Sequence, residues 1–146
     1  MATPPLIFVL NGPNLNLLGS REPEIYGRDT LDDIAIRLTE RADQLGVELD
    51  IRQSNHEGHL IDWLHEARAK NARAVIINPG GYSHTSVALH DAVKAIGIPV
   101  IEVHLSDPET RESFRHTDLV ALAASRVIKG QGAHGYLTAL DEAARL

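Results

Sequence analysis

Leu6-Ile7-Phe8-Val9-Leu10, followed at once by Asn11-Gly12-Pro13-Asn14-Leu15, is the stretch that decides the fold. An unbroken apolar run of strand length, without polar alternation, belongs to a strand covered on both faces. Asn, Gly and Pro then stop it sharply. A strand of that kind sits inside a parallel sheet with helices above and below.

The rest of the chain fits this reading. Asn11 to Arg28 is rich in Asn, Gly and Pro and predicts a long loop without regular structure. Thr30 is the expected N-cap of a helix whose stripe is Leu31, Ile34, Ala35, Leu38, Ala42 and Leu45, ended by Gly46. Val47 to Gln53 alternates apolar and polar residues and predicts a strand nearer a sheet edge. A helix is expected from about Gly58 to Asn71, and a central strand over Ala72 to Asn78. A turn at Pro79 to Ser83 leads to a helix from about Thr85 to Ile96, then a fourth strand over Pro99 to His104. Leu105 to Asp118 is a long connection with one helical turn, Arg126 to Lys129 a fifth strand, and Gly135 to Arg145 the last helix.

Repeated strand–helix alternation predicts a flavodoxin-like, doubly wound, five-stranded parallel sheet in a three-layer α/β/α arrangement. The whole of residues 1–146 is expected to form a single catalytic domain. In such sheets ligands bind beyond the carboxyl ends of the strands. Four loops are therefore candidates: those after Leu10, Gln53, Asn78 and His104.

Composition removes several classes of function. With 43% hydrophobic and 23% charged residues the chain is an ordinary globular one. It has no cysteine, so disulfides, thiolate metal sites and Cys nucleophiles are excluded. A net charge of −6 with scattered basic residues disfavours nucleic acid. No apolar run approaches the ~20 residues of a membrane span. Met1 to Pro5 lacks the basic start and apolar core of a signal peptide, so a cytoplasmic protein is expected.

Two motifs are decoys. Gly130-Gln131-Gly132-Ala133-His134-Gly135 matches a dinucleotide fingerprint, but too little chain follows to build the unit it needs. His56-Glu57-Gly58-His59 resembles a zinc motif, but Leu60 stands where the second histidine belongs. Neither a metal nor a cofactor is expected.

Other segments carry chemistry. A loop of about 18 residues in a compact domain is usually functional, often a lid. It bears Asn14, Arg21 and Tyr26. A tyrosine works as a general base when a guanidinium stabilises its phenolate. A solvated Arg21 and a packing Tyr26 are the plain alternative. Asn78-Pro79-Gly80-Gly81-Tyr82-Ser83-His84 could present backbone N–H groups and two hydroxyl-binding side chains, or serve only for capping by Ser83 or Thr85. Glu102 and His104 share one face of a strand end, and a carboxylate there orients an imidazole and favours its protonated form. Arg111 and Arg115, four apart, suit a carboxylate or polyol, or form a surface pair.

Together these segments resemble type II 3-dehydroquinate dehydratases over nearly the whole chain. The matching stretches are Leu10 to Gly19, Arg21-Glu22-Pro23 with Tyr26-Gly27, Gln53 to Gly58, Asn78 to Ser86 and Glu102 to Ser106. The resemblance implies dehydration of 3-dehydroquinate to 3-dehydroshikimate by anti elimination through an enolate, without Schiff base, metal or cofactor. Its role would be aromatic amino acid biosynthesis or quinate breakdown.

The resemblance also implies roles for named residues. Tyr26 is the proton acceptor, Arg21 stabilises the transition state, and Asn14 holds a water at the enolate. His104, oriented by Glu102, is the proton donor. Asn78, His84 and Arg115 hold ring hydroxyls, the backbone of Leu105 and Ser106 takes the carboxylate, and Arg111 flanks the closed lid. Asp91 reaches a neighbouring subunit's site in a homo-oligomer, a dodecamer built as a tetramer of trimers. His59 departs from the family pattern, at a position expected in a subunit contact.

Three rivals are weaker. An FMN carrier needs a Ser/Thr-rich phosphate loop after strand one. A receiver domain needs acidic residues where Asn11 and Asn78 stand. A catalytically inactive small-acid binding or assembly protein is argued against by the intact residue set.

Overall fold

The computed structural model describes residues 3–20 and 22–146. Five parallel strands form one sheet: β1 (Leu6–Asn11), β2 (Glu48–Gln53), β3 (Ala74–Asn78), β4 (Val100–His104) and β5 (Arg126–Lys129). Their order is β2-β1-β3-β4-β5. This is the flavodoxin-like order. The three inner strands β1, β3 and β4 are almost wholly buried, and β2 and β5 are the edges.

Among the described residues the α-helices are α1 (Pro23–Tyr26), α2 (Leu31–Leu45), α3 (Glu57–Ala69), α4 (Val87–Ala95) and α5 (His134–Ala144). Alternate residues of the inner strands serve opposite layers. Ile7, Val9, Ile76, Ile101 and Val103 pack with Ile34, Leu38, Tyr136 and Leu140 of α2 and α5. Phe8, Leu10, Val75 and Ile77 pack with Leu60, Leu64, Leu89 and Val93 of α3 and α4. At roughly 1.5–3 kcal/mol per buried large side chain, these two layers dominate the stability. The three-layer expectation holds.

Local chemistry sets the helix ends. Thr30 caps α2 reciprocally: its hydroxyl accepts from Asp33 N at 3.0 Å, and Asp33 accepts from Thr30 N at 3.0 Å. Gly46 closes it at φ 71°. The cap of α4 is neither Ser83 nor Thr85 but Ser86, whose Oγ accepts from Leu89 N at 2.8 Å.

Regular structure also appears where loops were expected. The segment from Asn11 to Arg28 contains a 3-10 turn at Leu15–Leu17 and the single-turn α1, which Pro23 starts. Short 3-10 turns also form at Gly80–His84, Pro108–Thr110 and Ser113–His116. None of the helices among the described residues is long and apolar enough to cross a membrane.

Candidate active site

The loops after β1 and β3 meet backbone to backbone. Gly12 N donates to Asn78 O at 2.8 Å. A Cβ on Gly12 would stand 2.6 Å from Pro79 O, so only glycine fits. Asn14 follows at φ 68°, a left-handed conformation that asparagine tolerates.

A buried polar bridge fixes this corner from below. The Tyr136 hydroxyl donates to Asn11 Oδ1 at 2.6 Å and accepts from Asn78 Nδ2 at 3.0 Å. Asn78 Oδ1 accepts from Gly80 N at 3.1 Å. Asn78 therefore stands at the cleft with its amide already oriented.

A cleft of about 290 Å³ opens beyond the carboxyl ends of β1, β3 and β4. Its lining includes Asn14, Tyr26, Asn78, His84, His104, Leu105, Ser106, Arg111 and Arg115. Residues from four separate segments thus converge where the fold predicts a ligand site. The loop after β2 does not line it. That loop buttresses the β1 turn instead: Asn55 Oδ1 accepts from Asn14 N at 3.0 Å, and Gln53 Nε2 donates to Gly12 O at 3.1 Å.

One wall carries the phenol. Tyr26, half-buried, ends α1, and its oxygen accepts from Arg111 Nη1 at 2.6 Å. The guanidinium also lies over the ring, 5.0 Å from its centroid. Arg111 comes from the crossover after β4, outside the Ser113–His116 turn that holds Arg115. Both arginines still face the cleft. Arg115 is held by Glu112 at 3.1 Å and stacks on Phe114 at 4.9 Å. Arg21 lies outside the described residues.

The imidazole of His104 lines the same cleft. His104 Nε2 hydrogen-bonds Glu102 Oε2, and Asp118 Oδ2 lies 3.3 Å from the same nitrogen. Glu102 is fully buried, and its Oε1 has no partner among the described residues. Burial, with Asp118 nearby, pushes Glu102 up to about 8 despite His104. Burial works against a charged His104, but hydrogen bonds to Asp118 and Glu102 outweigh it and raise it to about 9. Burial would raise Asp118 too, but its bonds to His104, Glu102 and Ala121 N hold it at about 2. The three groups titrate as one coupled cluster, in which the acidic partners favour the charged form of the imidazole.

Glu102, His104 and Asp118 also offer one ligand atom each within 4.8 Å, a spacing that a metal ion could use. The Nε2 of His104 is in direct hydrogen-bond contact with Glu102, so the arrangement is that of a shared proton. Nothing in the sequence marks Asp118 as a partner of this pair. It lies on the crossover, and no spacing rule links it to β4.

His84 lines the cleft, with its Nδ1 donating to Thr117 O at 2.7 Å. Asp91 does not approach the cleft: it is exposed on α4 and contacts His90 Nδ1 at 3.0 Å. The Gly130–Gly135 segment is used structurally, Gly130 N and Gly132 N donating to Ser106 O and Leu105 O at 3.2 and 3.0 Å. His59 bonds Ser54 Oγ at 2.8 Å, and its ring lies tilted between those of His56 and Trp63.

A doubly wound sheet with a phenol and a carboxylate-held imidazole lining one small cleft defines an α/β enzyme that works by acid–base chemistry. The model of the family Dehydroquinase class II matches residues 5–144. The chain belongs to that family. It is 59% identical over 140 residues to the 3-dehydroquinate dehydratase of Phenylobacterium zucineum, covering 96% of each chain. Its fold is similar to the type II dehydroquinase of Butyrivibrio crossotus, with TM-score 0.95, 39% identity and coverage of 97% and 99%. The type II dehydroquinase of Propionibacterium acnes matches with TM-score 0.94 and 41% identity over 100% of both chains.

Proposed function

We propose that the chain dehydrates 3-dehydroquinate to 3-dehydroshikimate by anti elimination through an enolate. The observation that carries this is a pair lining one cleft: the Tyr26 oxygen held by Arg111, and His104 held at Nε2 by Glu102 and Asp118. Tyr26 removes the proton next to the ketone, and Arg111 supplies positive charge at the phenol oxygen. Asn14 holds a water against the enolate oxygen. His104, oriented by Glu102, gives a proton to the departing hydroxyl.

Asn78, His84 and Arg115 hold ring hydroxyls, and the backbone at Leu105 and Ser106 takes the carboxylate. Arg111 closes against the lid. Arg21 is assigned transition-state stabilisation on the family pattern alone.

The reaction as read needs neither a metal ion nor a Schiff base. Lys70, Lys94 and Lys129 are the lysines of the chain, and none lines the cleft. Residues 1–146 act as one catalytic domain in the cytoplasm. Copies assemble through the exposed α4 surface, where Asp91 (side chain 69% exposed) reaches a neighbour's cleft, as in a dodecamer of four trimers.

The test is formation of the enone product by purified protein, with chelator present and, separately, by protein first incubated with substrate and borohydride and then freed of both. Turnover unaffected by either supports the reading. No turnover refutes it, loss with chelator refutes the metal-free step, and loss with borohydride refutes the route without a Schiff base.

A further inference from the structure

The imidazole of His104 meets carboxylates from two elements, and the second has a separate structural anchor. Asp118 Oδ1 accepts from Ala121 N at 3.0 Å, which starts the turn after the crossover. That bond aims Oδ2 at His104 Nε2, 3.3 Å away. Both partners of the ring thus lie on Nε2, and Nδ1 has none among the described residues.

This geometry has a chemical consequence. A neutral imidazole carries one ring proton, and carboxylates on Nε2 keep it there. Nδ1 is then bare and cannot donate. Only the imidazolium offers an N–H at Nδ1 while Nε2–H stays bonded to the carboxylates.

We propose that Asp118 is a positioning residue for the acid: with Glu102 it holds His104 as an imidazolium whose Nδ1–H points to the departing hydroxyl. This rests on the dehydration reading above. In the step, the Nδ1–H bond breaks and the proton joins the hydroxyl oxygen. The C–O bond's electron pair leaves with the water formed. The ring is left neutral with its proton on Nε2, and solvent restores the Nδ1 proton after release.

Other groups around the ring are accounted for. Sharing the cleft with it are Tyr26 of α1, His84 after β3, and Arg111 and Arg115 of the crossover. The cations oppose a charged ring, so the second carboxylate offsets them. The buried residues of α4 are Leu89, Ala92 and Val93, none ionisable. Lys129, opposite His104 in the sheet register, is drawn to Asp107 and Glu109 at 3.9 and 3.2 Å.

The test compares pH profiles of kcat/KM for wild type, Asp118→Asn and Asp118→Glu. Asparagine keeps an oxygen for Ala121 N and removes the charge. The alkaline limb should move down by about 1–3 pH units in Asp118→Asn. It should return in part in Asp118→Glu. Profiles that stay parallel, lowered equally at every pH, would reduce Asp118 to a turn cap and overturn the proposal.

Wild type gives an independent reading by NMR, with the His104 ring signal identified by its loss in His104→Gln. A ring still charged at pH 8 supports the proposal, and one neutral at pH 7 overturns it. A wild type that does not dehydrate the substrate overturns both readings, whereas an active wild type with parallel profiles overturns only the role of Asp118.

Discussion

The phenol of Tyr136, in the last helix, donates to Asn11 Oδ1 at the end of the first strand, 2.6 Å away and 125 residues apart in sequence. Through Asn78 the same hydroxyl ties β1 to β3 below the cleft. Both ends of this bridge are fully or nearly fully buried, so water cannot replace it.

Tyr136→Phe should therefore cost about 1–3 kcal/mol of stability, because two amides lose a buried partner. Urea unfolding measures it. KM for the substrate should also rise, since Asn78 loses its fixed orientation. An unchanged midpoint would mean that the bridge contributes nothing.

Gly12→Ala tests the loop contact that shapes the cleft. The added methyl meets Pro79 O at 2.6 Å, and backbone must move on one side. A loss of about 1–3 kcal/mol is expected, as for other overpacked sites. Activity should fall further than stability explains, because both loops carry cleft residues. Thermal melts and kinetics on one preparation check this.

Arg111→Lys should lower kcat by roughly 10–100-fold, the worth of a charged hydrogen bond of about 1.5–3 kcal/mol. Lysine keeps the charge but cannot both donate to Tyr26 and lie flat over its ring. Steady-state kinetics decides it, and a variant with wild-type kcat would remove Arg111 from the base.

Stability should fall as pH rises from about 5 to 9. Glu102 is raised from 4.5 to about 8, and His104 from 6.5 to about 9. A raised group stabilises fully below its unfolded value and loses that contribution as pH passes its folded value. The windows are thus 4.5 to 8 for Glu102 and 6.5 to 9 for His104. Asp118 acts oppositely: lowered from 3.8 to about 2, it stabilises above 3.8, and that is lost on acidification. Urea unfolding at pH 6 and pH 9 should show the decline, with a shallower slope in Glu102→Gln. Equal slopes would contradict the buried cluster.

Much of this was legible in the sequence, for physical reasons that also mark where it stopped. β1 and β3 are readable because strands buried on both faces are apolar, and β4 because Val100, Ile101 and Val103 keep that pattern around two polar residues. Glu102 and His104 are readable as a pair because strand geometry places i and i+2 on one face. The contact between Tyr26 and Arg111 spans 85 residues and joins two crossovers, so no periodicity announces it. Asp118 and Tyr136 carry no sequence signal for the same reason, since each acts through tertiary packing. The loop after β2 looked like a ligand loop because it leaves a strand's carboxyl end, but its side chains are spent on Gly12 and Asn14. The short helical turns were hidden by Pro and Gly, which mark a chain reversal without specifying its form.

The most direct test sets wild type beside Tyr26→Phe, following the rise of enone absorbance from 3-dehydroquinate. The phenol is half-buried, so the variant should fold with a nearly unchanged melting temperature. Rapid product formation by wild type and a fall of about 100- to 10,000-fold in kcat for the folded variant are predicted. A Tyr26→Phe protein that turns over at the wild-type rate would contradict the account.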